Sequence, residues 1–238
     1  MPHPYSPDYF TARESWRDWR IEANSLIEAA HIAQGAHVLE IGCGGGGLLR
    51  MLAQRGAWAV GIDTLDTALV VASKNSDADK RGQTRTREIY LRSSALIRVQ
   101  FNLVQIGEDN TLPFRDESVD AIIAQHAIEH LPDVDAALRE WKRLLKPNGR
   151  IALATPNALY PNPAHFADED HAHIFSPDEL RDTIQRSGFV VESCSTIFPF
   201  LSRLHPFRAI GVIMYRIFQR APYFALHGRT ILISAQKK

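Results

Sequence analysis

Short apolar stretches alternate with amphipathic stretches along most of the chain. The first apolar stretch covers residues 38–41, and four consecutive glycines follow it at 44–47. Leu48, Leu49 and Leu52 then recur at helical spacing. An apolar run, a turn and a helical repeat are typical of a buried parallel strand that leads into a helix. The pattern therefore predicts a strand, a tight turn and a helix in this order.

The same alternation continues towards the carboxyl end. Further strands are predicted over residues 57–62, 98–106, 118–124, 150–154, 189–197 and 229–235. Helices are predicted over residues 67–74, 134–145 and 178–187. Strands that alternate with helices predict a doubly wound, Rossmann-like α/β sheet with helices on both of its faces.

The glycines between the first strand and its helix indicate a ligand site. Gly42, Gly44 and Gly47 give the spacing Gly-x-Gly-x-x-Gly. Glycine lets the backbone approach a ligand closely, and the first N–H groups of a helix are free to bind it. This spacing by itself also fits a dinucleotide fingerprint. The turn therefore predicts a bound nucleotide without naming it.

Composition narrows the class of protein. The 238 residues fit a single domain, 1–238, and their formal net charge of zero gives no overall attraction to nucleic acid. Cys43 and Cys194 form no disulfide framework, which fits a reducing compartment. Residues 1–10 lack a signal-peptide core, and no apolar run approaches the roughly 20 residues of a membrane span. We therefore expect a cytoplasmic protein without a nucleic-acid partner.

Four segments resemble the motifs of one family, in the family's order. Glu40 and the glycines resemble Glu/Asp-x-Gly-x-Gly-x-Gly, the first motif of class I S-adenosylmethionine-dependent methyltransferases. Residues 107–114 resemble Gly-Asp-Ala-x-x-Leu-Pro-Phe, residues 128–131 resemble Leu-Glu-His-Val/Leu, and residues 145–149 resemble Leu-Lys-Pro-Gly-Gly. The resemblance covers residues 16–197 and extends to type 11 members such as the polyprenyl-benzoquinol O-methylases.

The resemblance implies a fold and a reaction. It implies a seven-stranded sheet whose last strand is antiparallel, and S-adenosylmethionine as methyl donor with S-adenosylhomocysteine as product. We expect methyl transfer to a small-molecule acceptor, as an O-methylation. Because the methyl group of a sulfonium is already activated, the enzyme mainly has to align the acceptor and exclude water.

Two alternatives to a methyltransferase remain open. A nicotinamide-dependent oxidoreductase accounts for the glycines and for Asp63, but not for the later segments that resemble the family. A non-catalytic module that binds S-adenosylmethionine also accounts for the glycines and for Gln125. This alternative stays open because no sequence feature proves turnover.

The resemblance also implies which residues contact the cofactor. Asp63 ends the second strand, where a carboxylate can accept both ribose hydroxyls, although it also fits the start of the next helix. Arg20 occupies the place of a family arginine that reaches the cofactor carboxylate, with a solvated arginine as the alternative. Glu108 or Asp109 would take the adenine amino group, and Gln125 would line the methionine part. The candidate cofactor contacts are Arg20, Glu40, Gly42, Cys43, Gly44, Asp63, Thr64, Glu108, Asp109 and Gln125.

Four histidines are candidates for a catalytic base, which is needed only if the acceptor loses a proton. His126 and His130 follow the strand predicted over 118–124, and we expect a neutral imidazole at cytosolic pH. His171 and His173 belong to a segment that resembles Asp/Glu-His-x-His-x-Phe-Ser/Thr of the family. Acids and histidines in this segment also suit a divalent metal, but we expect a wall of the substrate pocket and no metal.

Specificity is expected in the parts that differ most from the family. Residues 1–35 contain two tryptophans and predict N-terminal helices that either pack as core or form a lid. Residues 75–100 form a basic insertion, either solvated or facing an anionic substrate or partner. Within the variable substrate-side region 156–228, residues 198–225 are aromatic and basic. They suit either core packing or peripheral contact with a membrane that holds a lipid-like acceptor. The oligomeric state has no signal in the sequence.

Overall fold

The fold is described from a computed structural model. It covers residues 6–75, 101–105, 112–160, 171–197 and 226–238, together with Ile210, Ile213, Met214 and Ile217. The predicted insertion 75–100 therefore lies outside the described residues, except for Asn75 at the end of a helix.

One mixed sheet forms the centre of the molecule. Its strands are β1 (His37–Ile41), β2 (Trp58–Asp63), β3 (Phe101–Gln105), β4 (Val119–Gln125), β5 (Leu145–Pro156), β6 (Phe189–Ile197) and β7 (Thr230–Lys237). They are ordered β3-β2-β1-β4-β5-β7-β6 in a seven-stranded sheet. The pairs from β3 to β5 are parallel, whereas β7 is antiparallel to both β5 and β6. The Rossmann-like α/β fold with an antiparallel last strand is confirmed.

Helices cover both faces of this sheet. They are α1 (Pro7–Glu14), α2 (Arg17–Ala29), α3 (Gly47–Gln54), α4 (Asp66–Asn75), α5 (Val134–Leu144) and α6 (Pro177–Arg186). Leu26 of α2 and Leu49 of α3 pack with Val38 on one face. On the other face, Leu39 packs in the same cluster as Trp141 of α5. Since successive side chains of a strand point to opposite faces, β1 is buried on both sides, and the predicted double winding is confirmed.

The sequence order of the strands reverses between β1 and β4. From β1 the chain continues to β2 and β3 on one side, and from β4 it continues to β5 on the other. In open α/β sheets, ligands bind outside the carboxyl ends of the strands at this switch point. Ile41 pairs with Ala124, so the turn after β1 lies beside Gln125, the last residue of β4. The topology therefore places the predicted glycine turn and the predicted methionine contact together.

Local signals explain where the helices begin. Ser176 accepts the N–H of Glu179, whose carboxylate returns to the N–H of Ser176, and Pro177 stands at the first helical position of α6. This capping box satisfies N–H groups that the first turn of a helix leaves free. α5 ends at Leu144, one residue before the predicted end of the helix, whereas β5 begins directly at Leu145 rather than at the predicted residue 150. Asn148, with a left-handed φ of 63°, lies within that strand.

Among the helices of the described residues, none is both long and apolar enough to cross a membrane.

Candidate functional site

The turn after β1 uses backbone conformations that glycine adopts most easily. Gly42, Gly44 and Gly46 have φ values of 67°, 51° and 76°, in the left-handed region that other residues rarely occupy. The N–H of Cys43 donates to the carbonyl of Ile62 at 3.0 Å and so ties the turn to β2. The predicted glycine turn is present, and α3 begins directly after it.

A small cavity with a free volume of about 30 Å³ opens at this turn. Ligand pockets for drug-sized molecules hold roughly 300–1,000 Å³, so α1, which lies over the turn, leaves little space. The lining residues are Phe10, Arg13, Glu14, Trp19, Glu40, Gly42, Cys43, Gly44, Gly45, Gly47, Leu48 and Gln125. The structure thus brings together half of the predicted cofactor contacts, which are Glu40, Gly42, Cys43, Gly44 and Gln125.

Glu40 presents an unsatisfied oxygen in this cavity. Its side chain is only 2% exposed, and its Oε2 atom has no hydrogen-bond partner among the described residues. Burial, and then the neighbouring carboxylates of Glu14 and Asp63, raise the pKa of Glu40 well above its ordinary value. A buried acceptor without a partner costs about 1–3 kcal/mol. This oxygen is therefore suited to a ligand that brings a donor, and an ammonium group there would favour the ionised form of the carboxyl group.

The carboxylate of Asp63 connects the glycine turn with the start of α4. Its Oδ2 accepts the N–H of Gly44 at 2.9 Å, and its Oδ1 accepts the N–H of Leu65 at 2.9 Å. Burial raises the pKa of Asp63 more than these bonds lower it. The bond from the N–H of Leu65 agrees with the alternative that Asp63 serves the start of α4. The contact of Asp63 with the ribose stays a prediction. Thr64, the next predicted contact, is exposed.

The structure places Arg13, rather than Arg20, at the cavity. Arg20 is exposed on α2 and is not one of the residues that line the cavity. Arg13 lies in the last turn of α1 and does line it. The exposed position of Arg20 agrees with the alternative of a solvated arginine, and its contact with the cofactor stays a prediction. Glu108 and Asp109 lie outside the described residues, and their adenine contact stays a prediction.

The N-terminal helices contribute two acids that the sequence did not single out. Glu14 Oε1 accepts the N–H of Gly47 at 2.9 Å. Glu22 Oε1 accepts the Nε2 amide of Gln125 at 2.8 Å. In the sequence these residues look like ordinary solvated acids of amphipathic helices. Only the docking of α1 and α2 onto the sheet gives them partners in the site.

His126 lies between two buried carboxylates. Its Nε2 is 2.9 Å from Glu22 Oε1, and its Nδ1 is 3.3 Å from Glu129 Oε1. Thr155 Oγ1 donates to the other oxygen of Glu129 at 2.9 Å. Burial lowers the pKa of His126, but Glu22 and then Glu129 together raise it to about 9. His126 is therefore a cation at neutral pH with both nitrogens engaged. This corrects the expectation of a neutral imidazole at this position, and a cation cannot accept a proton as a base.

The other three candidate histidines gather at the same turn after β4. The N–H groups of Ala172 and His173 donate to the carbonyl of Glu129 at 2.9 and 3.0 Å. The ring centroids of His130 and His171 lie 4.9 Å apart. Nδ1 of His171 and Nε2 of His173 are buried and have no hydrogen-bond partner among the described residues. Their role in a pocket wall stays a prediction.

Glu129, His130 and His171 also lie close enough to be considered as metal ligands. Each offers one ligand atom within 4.8 Å of the other two, and a carboxylate with two imidazoles is a common zinc set. However, the oxygens of Glu129 already bind His126 and Thr155. An ion that takes this carboxylate has to compete with the cationic ring of His126. We therefore keep the prediction that no metal is bound.

Removal of divalent ions should leave the fold unchanged. After treatment with a chelator, we expect the same melting temperature, and a calorimetric titration with zinc should show no stoichiometric site. His171→Ala should behave like His31→Ala, a change at an exposed histidine outside the group of three. One zinc ion bound per chain in the wild type and in His31→Ala, but lost in His171→Ala, would contradict this expectation.

Three isoleucines near the C-terminus bear on the choice between core and membrane contact. Ile210, Ile213 and Ile217 are 54%, 58% and 64% exposed and share one face at helical spacing. These side chains therefore do not belong to the buried core of the described residues. Phe218 and most of the predicted aromatic and basic segment 198–225 lie outside those residues. Contact with a membrane stays a prediction.

Comparison with known sequences identifies the class of domain. A family model described as "Methyltransferase domain" matches residues 39–153. A ubiquinone biosynthesis O-methyltransferase of Leptothrix cholodnii is 34% identical over 146 residues, which are 61% of this chain and 54% of that protein. The chain thus spans about half the length of the curated relatives that it matches.

Comparison with solved structures supports the same fold. A chain from the complex of the Haloferax volcanii Trm112 methyltransferase activator has a TM-score of 0.68 at 19% identity. The match covers 99% of this chain and 98% of that one. The [4+2]-cyclase SpnF has a TM-score of 0.66 at 16% identity and covers 94% of this chain and 82% of its own. Since a cyclase shares the fold, the fold alone does not determine the reaction.

Proposed function

The chain belongs to the class I S-adenosylmethionine-dependent methyltransferases through its domain over residues 39–153, and on this premise we propose that it methylates an oxygen atom of a small-molecule acceptor. The proposal follows the curated relatives, which include O-methyltransferases. S-adenosylmethionine supplies an activated methyl group on its sulfonium.

The single observation that carries the proposal is the unsatisfied oxygen of Glu40 beside the glycine turn. Glu40 Oε2 is buried without a partner among the described residues, and it lines the cavity at the switch point of the sheet. The amino group of a methionine moiety is a donor of the right charge for this oxygen. Gly42 is needed here for packing within the chain, because a Cβ there would lie 2.8 Å from the Cβ of Ala127. The unsatisfied oxygen of Glu40 favours S-adenosylmethionine over a ligand without an amino group.

The protein's own contribution is to position the reactants and to exclude water. Gln125 is fixed by its bond to Glu22, so its side chain is held in place before a ligand binds. Phe10 and Trp19 from the N-terminal helices line the same cavity and shield it from solvent. For a donor that is already activated, alignment and shielding supply most of the required rate enhancement.

His171 is our candidate for the base that takes the proton of an acceptor hydroxyl. His126 is unsuited, because its pKa of about 9 makes it a cation at neutral pH. His171 has a buried Nδ1 without a partner among the described residues. The bond from Ala172 to the carbonyl of Glu129 fixes its segment beside the turn that follows Gln125.

A lipid-like acceptor fits the region after β6 best. The exposed face formed by Ile210, Ile213 and Ile217 is accompanied in the sequence by arginines, including Arg208 and Arg216. Apolar side chains with interspersed cations are typical of a surface that lies on an anionic membrane. Such a surface would allow the acceptor to be taken up from the lipid phase.

Transfer of a radiolabelled methyl group tests the proposed function. The purified protein is incubated with labelled S-adenosylmethionine and a cell extract, which is then divided into organic and aqueous fractions. We expect label in the organic fraction, and a strong reduction in His171→Gln but not in the control His31→Gln. Binding without labelled product in either fraction would favour a non-catalytic module. Binding of NADH instead of S-adenosylmethionine would favour an oxidoreductase.

A further inference from the structure

Glu14 of α1 holds the groups at the start of α3 that are best suited to a carboxylate ligand. Its Oε1 accepts the N–H of Gly47, the first residue of α3, at 2.9 Å. Its Oε2 lies 2.5 Å from Nη2 of Arg50. An N–H at a helix start and a guanidinium one turn later form a typical site for an anion. In this structure the anion is a side chain of the same protein.

A second observation points to a ligand site at the start of α3. Glu40 lines the same cavity as Glu14 and Gly47, and its buried Oε2 has no partner among the described residues. Gly47, which lines the cavity, therefore offers an N–H donor for a carboxylate, and Glu40 offers an acceptor for an ammonium group. Both groups occur together in the zwitterion of an α-amino acid.

The contacts of Glu14 are tight enough to exclude such a ligand. A Cβ placed on Gly47 would lie 2.5 Å from Cδ of Glu14 and 2.7 Å from the ring of Trp19. The cavity keeps only about 30 Å³ of free volume. The carboxylate of Glu14 and that of a ligand thus cannot bind Gly47 and Arg50 at the same time.

We propose that Arg50 and the N–H of Gly47 bind the carboxylate of the cofactor's methionine part, and that Glu14 is an intramolecular competitor for this site. The inference rests on the proposed function, which supplies the cofactor. Arg50 is thereby a binding residue, and α1 must withdraw its carboxylate before the cofactor is fully bound. The N-terminal helices then regulate access to the site through one ion pair.

Two nucleosides provide a matched pair of probes. S-adenosylhomocysteine carries the amino-acid part and no sulfonium charge, whereas 5′-methylthioadenosine lacks the amino-acid part. In Glu14→Gln the competing charge is lost, so S-adenosylhomocysteine should bind about three- to tenfold more tightly, as expected for a charged hydrogen bond that is partly solvated. The affinity for 5′-methylthioadenosine should not change. Glu28→Gln, at an exposed acid of α2, is the control for lost charge.

The contribution of Arg50 is measured where the competitor is absent. In the Glu14→Gln background, Arg50→Gln should weaken the binding of S-adenosylhomocysteine about tenfold and leave 5′-methylthioadenosine unaffected. Calorimetry gives the affinities, and thermal melts show that all variants are folded. Unchanged affinity for S-adenosylhomocysteine in Glu14→Gln, or an equal gain for both probes, would overturn the inference. Tight binding without methyl transfer would overturn the proposed function alone.

Discussion

Replacing Gly44 by alanine should reduce the affinity for S-adenosylmethionine by tenfold or more while the protein remains folded. Gly44 lines the cavity, and its N–H is fixed by Asp63 at 2.9 Å. A Cβ at this position would lie 3.3 Å from Cδ1 of Phe10, in the space between the turn and α1. A methyl group there keeps a ligand from close contact with the backbone, and each tenfold in affinity corresponds to about 1.4 kcal/mol.

Gly35→Ala is a matched control for this substitution. Gly35 and Gly44 both have left-handed φ values, 79° and 51°, but a Cβ at Gly35 meets nothing within 4 Å. Alanine costs roughly 1–2 kcal/mol in this conformation, so both variants should lose similar stability in urea unfolding. Calorimetry should show weaker cofactor binding in Gly44→Ala alone. Equal affinities in the two variants would remove the turn from the cofactor site.

His126→Gln should lower the free energy of unfolding by about 3 kcal/mol near neutral pH. Glu22 and Glu129 are 5% and 1% exposed, and both lie within ion-pair distance of this ring. Removing one partner of a buried ion pair costs roughly 3–5 kcal/mol, because a charge is left without compensation. We expect a loss at the lower end of this range because about a fifth of the side chain of His126 is exposed to solvent.

The pH dependence of this difference follows from the direction of the two pKa shifts. The pKa of His126 rises from 6.5 to about 9, so its contribution is fully present below 6.5 and is lost as the pH rises through 9. Burial raises the pKa of Glu22, but the ring of His126 and further hydrogen bonds lower it from 4.5 to about 2. The contribution of Glu22 to stability is present above pH 4.5 and is lost as the pH falls through 2. The stability difference between wild type and His126→Gln should thus be largest between these limits, from 4.5 to 6.5.

His31→Gln is the control for the change of residue. His31 is exposed and has a φ of 51°, close to the 56° of His126, so both glutamines adopt the same strained backbone. Urea unfolding across the pH range should give a pH-dependent loss for His126→Gln and a small, constant loss for His31→Gln. Equal and constant losses in both variants would show that the carboxylates do not depend on a cationic ring.

The parts of the site that sequence could predict are those with local signals. Gly42, Gly44 and Gly46 after β1 adopt left-handed backbone, which glycine allows most easily, and the short apolar run that precedes them marks a buried strand. The turn, its strand and its helix therefore follow from one short stretch of residues. Asp63 follows from the end of the next strand, because parallel strands end at the same edge of a sheet.

The parts that sequence could not predict depend on distant contacts. The chemical state of His126 is set by Glu22, which lies more than a hundred residues earlier in the chain. Nothing near His126 indicates that a carboxylate of α2 will contact its ring. Likewise, Glu14 reaches Gly47 across 33 residues, and only the docked α1 brings Arg13 to the cavity in place of Arg20. Local periodicity predicts these helices, but not which of their charged side chains point inwards.

Titration of the wild-type protein with S-adenosylmethionine, and separately with NADH, tests the central claim most directly. We predict one molecule of S-adenosylmethionine bound per chain, with S-adenosylhomocysteine competing for the same site, and no heat of binding for NADH. The unsatisfied oxygen of Glu40 accounts for this choice, because NADH has no ammonium group to donate to it. Stoichiometric binding of NADH without binding of S-adenosylmethionine would contradict the account.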